Sequence, residues 1–420
     1  MITRIEAFDY RCLHRAAQDV RPFQVLVGPN ASGKSTFLDV VALVRDIVRD
    51  GRQDIGTVIS LRAPDYADLM WKRASGEFQV AVQALVPENL RVHLPSGATA
   101  CYYWLKIGEA AGSGELGILE EHLSVGPPKR SDARPRASFP QPPRLPPLLP
   151  SYQRQDGPHD TIVQKLHSDG KDYYRCETEK GKLLSFTLGR RRSTLANLPE
   201  DDELFPVATW FRRFLSESTQ SIALKPDAIR RPSPPAAPRS LVSDGCGLPW
   251  LVHALESAED RKSLDEWIGH VRTALPDLRS IRTVEREEDR HRYLKLLYDD
   301  GAEVPSWLVS HGTLRLLALT LLPYLPNMTG TYLIEEPENG IHPGALETVF
   351  QSLSSVYDGQ VLLSTHSPAL LSMAELDQVL CFGKSPDAGV DICSGTEHPK
   401  LRNWRHEVSL GTYLAGGVLG

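Results

Sequence analysis

The chain has 420 residues, 41% of them hydrophobic and 24% charged, which is enough apolar material for one large or two modest folded units and excludes a disordered tail. A formal net charge of −6 excludes a uniformly basic nucleic-acid binder and leaves any such contact to local clusters. The start of the chain is charged from Arg4 onward, the most apolar later run (Leu316 to Leu322) lies between Arg315 and Pro323, and Cys12, Cys101, Cys176, Cys246, Cys381 and Cys393 form no C-x-x-C pair, so a cytoplasmic protein with reduced thiols and no membrane span is expected.

Strands are predicted near Ile2 to Phe8 and Phe23 to Val27, then a helix from about Gly33 to Arg49 in which Phe37, Val40, Val41, Val44 and Ile47 recur at helical spacing. Between strand and helix stands the G-x-x-x-x-G-K-S stretch Gly28 to Thr36. Gly28 and Gly33 let the backbone wrap phosphate oxygens, and the loop N–H groups and helix N-terminus favour negative charge. Lys34 reaches the β and γ phosphates, Ser35 can ligate Mg²⁺, and Asn30 and Thr36 complete the nucleotide-binding set. A nucleoside triphosphate with Mg²⁺ is expected here, and the resemblance given below makes it ATP.

Gly76 to Leu85 and Ala100 to Ile107 alternate as strands do, and residues 86–240 mix short strands with proline-rich loops. Gly126 to Pro150 carries Lys129, Arg130, Arg134, Arg136 and Arg144 against one Asp132, and Gly189 to Arg192 and Arg230 to Arg239 are similarly basic. Such segments are solvated loops or contacts to a phosphate backbone or partner, and charge leaves both open. Beyond Leu241, helices are predicted near Leu248 to Leu255, Leu264 to Leu275 and Thr313 to Tyr324, with strands at Tyr293 to Tyr298 and Tyr332 to Ile334. The expected division is an ATPase lobe over 1–85, a mixed α+β insertion or lid over 86–240, and a second ATPase lobe over 241–420.

The strand at Tyr332 to Ile334 runs into Glu335-Glu336-Pro337-Glu338-Asn339-Gly340. An apolar strand ending in two carboxylates suits an NTPase that holds Mg²⁺ through one acid and orients water with the next, which assigns Glu335 to the metal and Glu336 to the water. Pro337 disfavours helix at Glu336, so an extended strand end is expected. Ser310-His311-Gly312-Thr313-Leu314-Arg315 places a hydroxyl and a glycine at a helix N-terminus, and Ser364-Thr365-His366-Ser367-Pro368 follows the apolar run Val361 to Leu363.

In this order, P-loop, S-x-G-x-x-R, acidic strand and S-T-H-S resemble the ATP-binding-cassette class of ATPases, in the soluble branch of SMC-like, RecF-like and OLD-family heads. The resemblance spans roughly 1–50 and 300–370 and implies an α/β P-loop NTPase of the ABC-ATPase head type. It further implies a homodimer or higher homo-oligomer in which Ser310 and Gly312 of one subunit cap the γ-phosphate held by Lys34 of another. Glu336 would be the general base, Asn339-Gly340 the loop at the dimer interface and His366 the γ-phosphate sensor. Glu335 stands where most relatives carry Asp, SHG replaces the longer transporter signature, and the glutamine of the metal shell has only Gln53, Gln79 and Gln83 as equal candidates. Phe8 and Tyr10 are placed either to stack on adenine or to be buried in their strand.

The EEPENGIHP and STHSP wording is most similar to AAA-type ATPases of bacterial defence systems, including OLD-like proteins, whose nuclease domain needs more than the 54 residues after His366, so no intrinsic nuclease is expected. The function expected from the resemblance is a nucleotide-dependent ATPase switch or sensor controlling a separate effector, a nuclease or toxin, in anti-phage defence. The alternative is a RecF- or SMC-like DNA-repair ATPase that binds DNA. A transporter subunit is third, because Arg49 to Ser310 is far longer than a compact transport cassette uses.

Overall fold

A computed structural model describes the chain except residues 75, 111, 113, 131–135, 142–159, 167–169, 180, 239–243, 327, 386–388, 402–403, 405–407 and 420. Arg134, Arg144 and Arg239, together with Asp132, thus lie outside the described residues. Strands β1 (Ile2–Tyr10), β2 (Leu13–Asp19) and β3 (Phe23–Val27) lead to helices α1 (Lys34–Val48) and α2 (Ile55–Ser60). There follow β4 (Glu77–Leu85), β5 (Ala100–Glu109), β6 (Leu116–Gly126), β7 (Asp160–Lys165), β8 (Asp172–Arg175) and β9 (Leu183–Phe186). Next come α3 (Pro206–Ser216), β10 (Thr219–Ile222), α4 (Pro226–Arg230), α5 (Leu248–Glu256), α6 (Lys262–Val271), β11 (Leu278–Glu285), β12 (Arg292–Tyr298) and β13 (Glu303–Pro305). The last part holds α7 (His311–Thr320), β14 (Thr331–Glu335), α8 (Leu346–Ser354), β15 (Gln360–Ser364), α9 (Pro368–Leu371), β16 (Val379–Ser385), β17 (Gly389–Ser394) and α10 (Leu410–Ala415). No described helix is long and apolar enough to cross a membrane.

Strand β3, which leads into the glycine-rich loop, is buried at all five positions, as a strand with both faces covered must be. It lies inside a six-stranded sheet of order β10-β14-β15-β3-β16-β17, with β3, β10, β14, β15 and β16 parallel and β17 antiparallel at the edge. Side-chain alternation sorts this sheet into two cores. Leu26, Leu333, Leu362 and Phe382 pack on one face with α1, α3 and the second sheet, while Val25, Val27, Ile334, Leu363 and Cys381 pack on the other with α5 to α9 and the β11-β12-β13 sheet.

The second sheet is eight-stranded, ordered β2-β1-β4-β5-β6-β7-β8-β9 and antiparallel at every pairing. Strand pairing crosses the expected division of the chain at two points. The boundary at 85/86 falls between β4 and β5, neighbours hydrogen-bonded along their length. Strand β10, inside the supposed insertion, pairs in parallel with β14 and belongs to the sheet that holds β3. The 240/241 boundary lies outside the described residues. Strand β2 went unpredicted because its Arg15, Gln18 and Asp19 hide the period of two.

The basic loops are also less free than their composition suggests. Arg191 forms an ion pair with Asp54 at 2.6 Å, and its carbonyl accepts from Ile55 N at 2.9 Å, which fastens the loop to the start of α2. Arg230 donates through Nε and Nη2 to Val309 O at 3.2 and 2.8 Å. Arg136 pairs with the buried carboxylate of Asp391. Arg130, Arg192 and Arg231 are exposed.

Near that last contact, His398 is buried against the Phe139 ring, centroids 4.9 Å apart, and its Nε2 has no hydrogen-bond partner. Burial, with the Lys400 charge acting in the same direction, pushes its pKa down to about 4. The unfolded chain therefore binds a proton that the folded chain refuses. Stability is expected to fall as pH drops from about 6.5 to about 4, by up to about 1.4 kcal/mol per pH unit. The melting temperature of the unaltered chain minus that of His398→Leu, followed from pH 7 to 4.5, checks this, and a pH-independent difference would disprove it.

Candidate nucleotide site

The loop from Gly28 to Gly33 turns tightly because its backbone uses conformations that side chains resist. Gly28 has φ 150° and Gly33 φ 97°, and a Cβ on Gly28 would lie 2.3 Å from Phe382 O. Gly33 and the left-handed Ala31 (φ 58°) bring the chain round into α1. Lys34 is buried at the head of that helix and its Nζ donates to Gly28 O and Pro29 O, both at 2.9 Å, and to Ser32 Oγ at 3.4 Å. Burial pushes its pKa down to about 8, against the attraction of Glu336, Glu335 and Glu338. It is an ammonium whose donors are met only by neutral oxygens, in a cradle that a Cβ would fill, and an arriving phosphate oxygen improves on that. Asn30 and Ser35 are exposed, and Thr36 accepts from Cys12 Sγ at 3.3 Å.

The parallel register sets the ends of β3, β15 and β14 side by side: Leu26 opposes Ser364, and Ser364 opposes Glu335. Ligands of open parallel sheets bind beyond such carboxyl ends. Ser35 Oγ donates to Glu335 Oε2, joining helix α1 to the acidic strand. A hydroxyl and a carboxylate, both on the exposed rim, are the hard oxygen donors that fit Mg²⁺.

Glu336 departs from the expected extended strand end, with φ 46° in the left-handed region. This costs a side-chain-bearing residue on the order of 1 kcal/mol. Neighbours hold it there: its N donates to Ser364 O at 2.9 Å, and its carbonyl accepts from Asn339 N at 3.1 Å and Arg315 Nη2 at 3.4 Å. The turn aims the carboxylate away from the strand line, where Oε2 accepts from Asn339 Nδ2 at 2.5 Å and Oε1 stands 3.7 Å from His366 Nε2. Glu338 is spent differently. Its Oε1 accepts from Thr365 Oγ1, His366 N and Ser367 N at 2.7, 2.8 and 3.1 Å, pinning the turn that presents His366.

Ser310 caps α7, accepting from Thr313 N at 3.1 Å, and is exposed. Gly312 is required within one chain, since a Cβ there would lie 2.3 Å from Gly340 O. The signature turn and the acidic turn are therefore in backbone contact. Arg315 lies behind them, and burial pushes its pKa down while Glu338 and Glu336 oppose the shift. It lines a cavity of about 460 Å³ with Asp39, Ser221, Glu335, Glu336 and Asn339. This position of Arg315, the last residue of the S-x-G-x-x-R motif, was not legible from the sequence.

Two other expectations separate here. Gln79 accepts from Trp104 Nε1 and Gln83 donates to Thr3 and Lys129 O, both within the eight-stranded sheet, and neither these nor Gln53 lines that cavity. Tyr10 is fully buried with its hydroxyl on Asp39 at 2.5 Å, so it is unavailable to a base, and Phe8 lies 5.5 Å beneath the Arg15 guanidinium.

A family model described as "AAA domain, putative AbiEii toxin, Type IV TA system" matches residues 184–372, a little under half of the chain, including the Ser310, Glu335 and His366 segments. Among solved structures the chain is similar to an Smc head bound to the C-terminal winged-helix domain of ScpA, at 13% identity over 98% of this chain and 99% of that one, with a TM-score of 0.52. It is also similar to an Smc head with an extended coiled coil bound to the C-terminal domain of ScpA derived from Pyrococcus furiosus, at 11% identity over 94% and 96%, TM-score 0.49. No curated protein matches this sequence. The first of these likenesses shows the fold, an α/β P-loop head of the ABC-ATPase type.

Proposed function

We propose that the chain binds ATP at Gly28 to Thr36, hydrolyses it to ADP and phosphate, and uses that cycle as a switch that pairs with a second copy of itself and controls a separate effector in anti-phage defence. The observation that carries the catalytic part is the convergence of Lys34, Ser35, Glu335, Glu336 and His366 at one edge of β3, β15 and β14. Ser35 and Glu335 would hold Mg²⁺, which when bound neutralises charge on the phosphate oxygens. Lys34 binds the phosphate chain, Glu336 orients water and takes its proton on the carboxylate facing His366, and His366 follows the γ-phosphate. The defence setting draws on the family model whose description names a putative AbiEii toxin and a type IV toxin–antitoxin system.

In this reading Ser310 and Gly312 close the site on the neighbouring subunit, with Ser310 the exposed hydroxyl of the pair. Ser310→Arg is expected to leave ATP affinity within a few-fold while cutting hydrolysis and ATP-dependent dimerisation, because a bulky cation replaces the small hydroxyl. Light scattering with ATP on the Glu336→Gln background reads the dimer. A chain that stays monomeric there, with turnover linear in concentration, removes the shared site.

A second reading, a DNA-repair ATPase of the RecF or SMC kind, draws on the likeness to an Smc head over nearly the whole length. It is the weaker one, because Arg136, Arg191 and Arg230 are spent on contacts within the chain. Electrophoretic shifts across a salt series separate the two, since phosphate contacts must weaken with salt.

A further inference from the structure

Strands β16 and β17 form a hairpin that is the wall of the nucleotide loop. Besides the close approach of Phe382 O to Gly28, a Cβ on Gly33 would lie 2.9 Å from Val390 Cγ2. The Phe382 ring meets Phe37 of α1 edge-on at 5.6 Å. Side chains alternate along strands, so Phe382, Val390 and Ile392 face α1 and the loop, while Gly383 and Asp391, directly opposed in register, face the other way.

On that outer face lies the segment 136–141, part of the proline-rich connection from β6 to β7. Asp391 is fully buried, and its carboxylate takes Arg136 Nη1 on Oδ1 and Gln141 N on Oδ2, the latter at 2.6 Å. Arg136 Nη2 donates to Ile392 O at 2.8 Å and Arg136 N to Glu397 O at 3.0 Å. The segment presses so closely that a Cβ on Gly383 would lie 2.7 Å from Pro140 Cβ. A two-stranded hairpin thus sits between this strap and the loop, and a buried carboxylate of that hairpin depends on the strap for its counter-charge.

We propose that Arg136 is a positioning residue for the nucleotide: by holding Asp391 from behind, it fixes the hairpin that shapes the loop from Gly28 to Gly33, so that docking of the 136–141 strap and binding of ATP are coupled. The coupling rests on the ATP reading above and, being thermodynamic, runs both ways. Whatever engages the proline-rich connection acts on ATP affinity by this route.

The test uses the full chain, with calorimetric titration of ATP and Mg²⁺ and amide hydrogen exchange. Arg136→Ala is expected to weaken ATP binding about tenfold, with Arg136→Lys recovering most of the loss. ATP should slow exchange in 136–141 and 389–394, and Lys34→Ala should abolish that slowing. Arg136→Ala leaves Asp391 buried and unpaired and can fail to fold, so Arg136→Ala with Asp391→Asn removes both charges and should still show the weaker affinity. A strap of purely structural importance would lower the melting temperature yet leave ATP affinity and the ATP dependence of strap exchange unmoved, and that result overturns the coupling alone. An unaltered chain that binds no ATP overturns the nucleotide reading itself, and the coupling with it.

Discussion

Glu336→Gln is expected to retain ATP within a few-fold of the unaltered affinity and to lose hydrolysis by about 10²- to 10⁴-fold, the usual contribution of a positioned general base. The substitution keeps size and removes only the acid. The amide oxygen can still accept from Asn339 Nδ2, which holds the carboxylate at 2.5 Å, and the left-handed backbone is secured by Ser364, Asn339 and Arg315 and not by the side chain. The neighbouring acids offer no easy substitute. Glu338 Oε1 already accepts three hydrogen bonds from the turn at Thr365 to Ser367, and Glu335 is engaged with Ser35 Oγ. Single-turnover hydrolysis alongside a binding titration measures both halves. Turnover at the unaltered rate would return the role of base to Glu335, whose carboxylate is also on the exposed rim.

Lys34→Ala is expected to weaken ATP binding by at least about a hundredfold, since a charge-assisted contact to phosphate is worth roughly 3 kcal/mol when partly buried. The same side chain also braces the loop through Gly28 O and Pro29 O, so part of the loss is loop order. Lys34→Met, which keeps the apolar stem and removes the donors, separates the packing of the stem from the hydrogen bonds of the ammonium. If both variants lose ATP equally, the ammonium is what matters; if methionine restores binding, the packing of the stem is. Titration calorimetry at pH 7 reads the affinity, and an alanine variant that binds like the parent would place the phosphates elsewhere.

Local turns and element ends were legible in the sequence. The phosphate loop needs glycine where φ is positive, at Gly28 and Gly33, and an apolar strand and an amphipathic helix on either side, and each of these signals is carried by a few adjacent residues. The same is true of the acidic strand end, the Ser310 cap and the turn at His366. Sequence order of the four segments then sufficed for the class of fold.

What the tertiary structure alone decided is which distant segments touch. Strand pairing and facing depend on which surfaces other elements cover, a long-range condition that no window of sequence contains. Hence β10 beside β14, the single sheet running through the expected boundary at 85/86, and the docking of Arg136 onto Asp391 were not legible. The same reason separates Glu336 from Glu338. Both are carboxylates on one turn, and only the turn from Thr365 to Ser367, folded over Glu338 from another strand, leaves Glu336 as the acid that faces His366. Gly312 illustrates it last: its motif suggests a role toward a neighbouring subunit, whereas the contact that forbids a side chain there is the carbonyl of Gly340 in the same chain, brought close by the packing of α7 against the acidic turn.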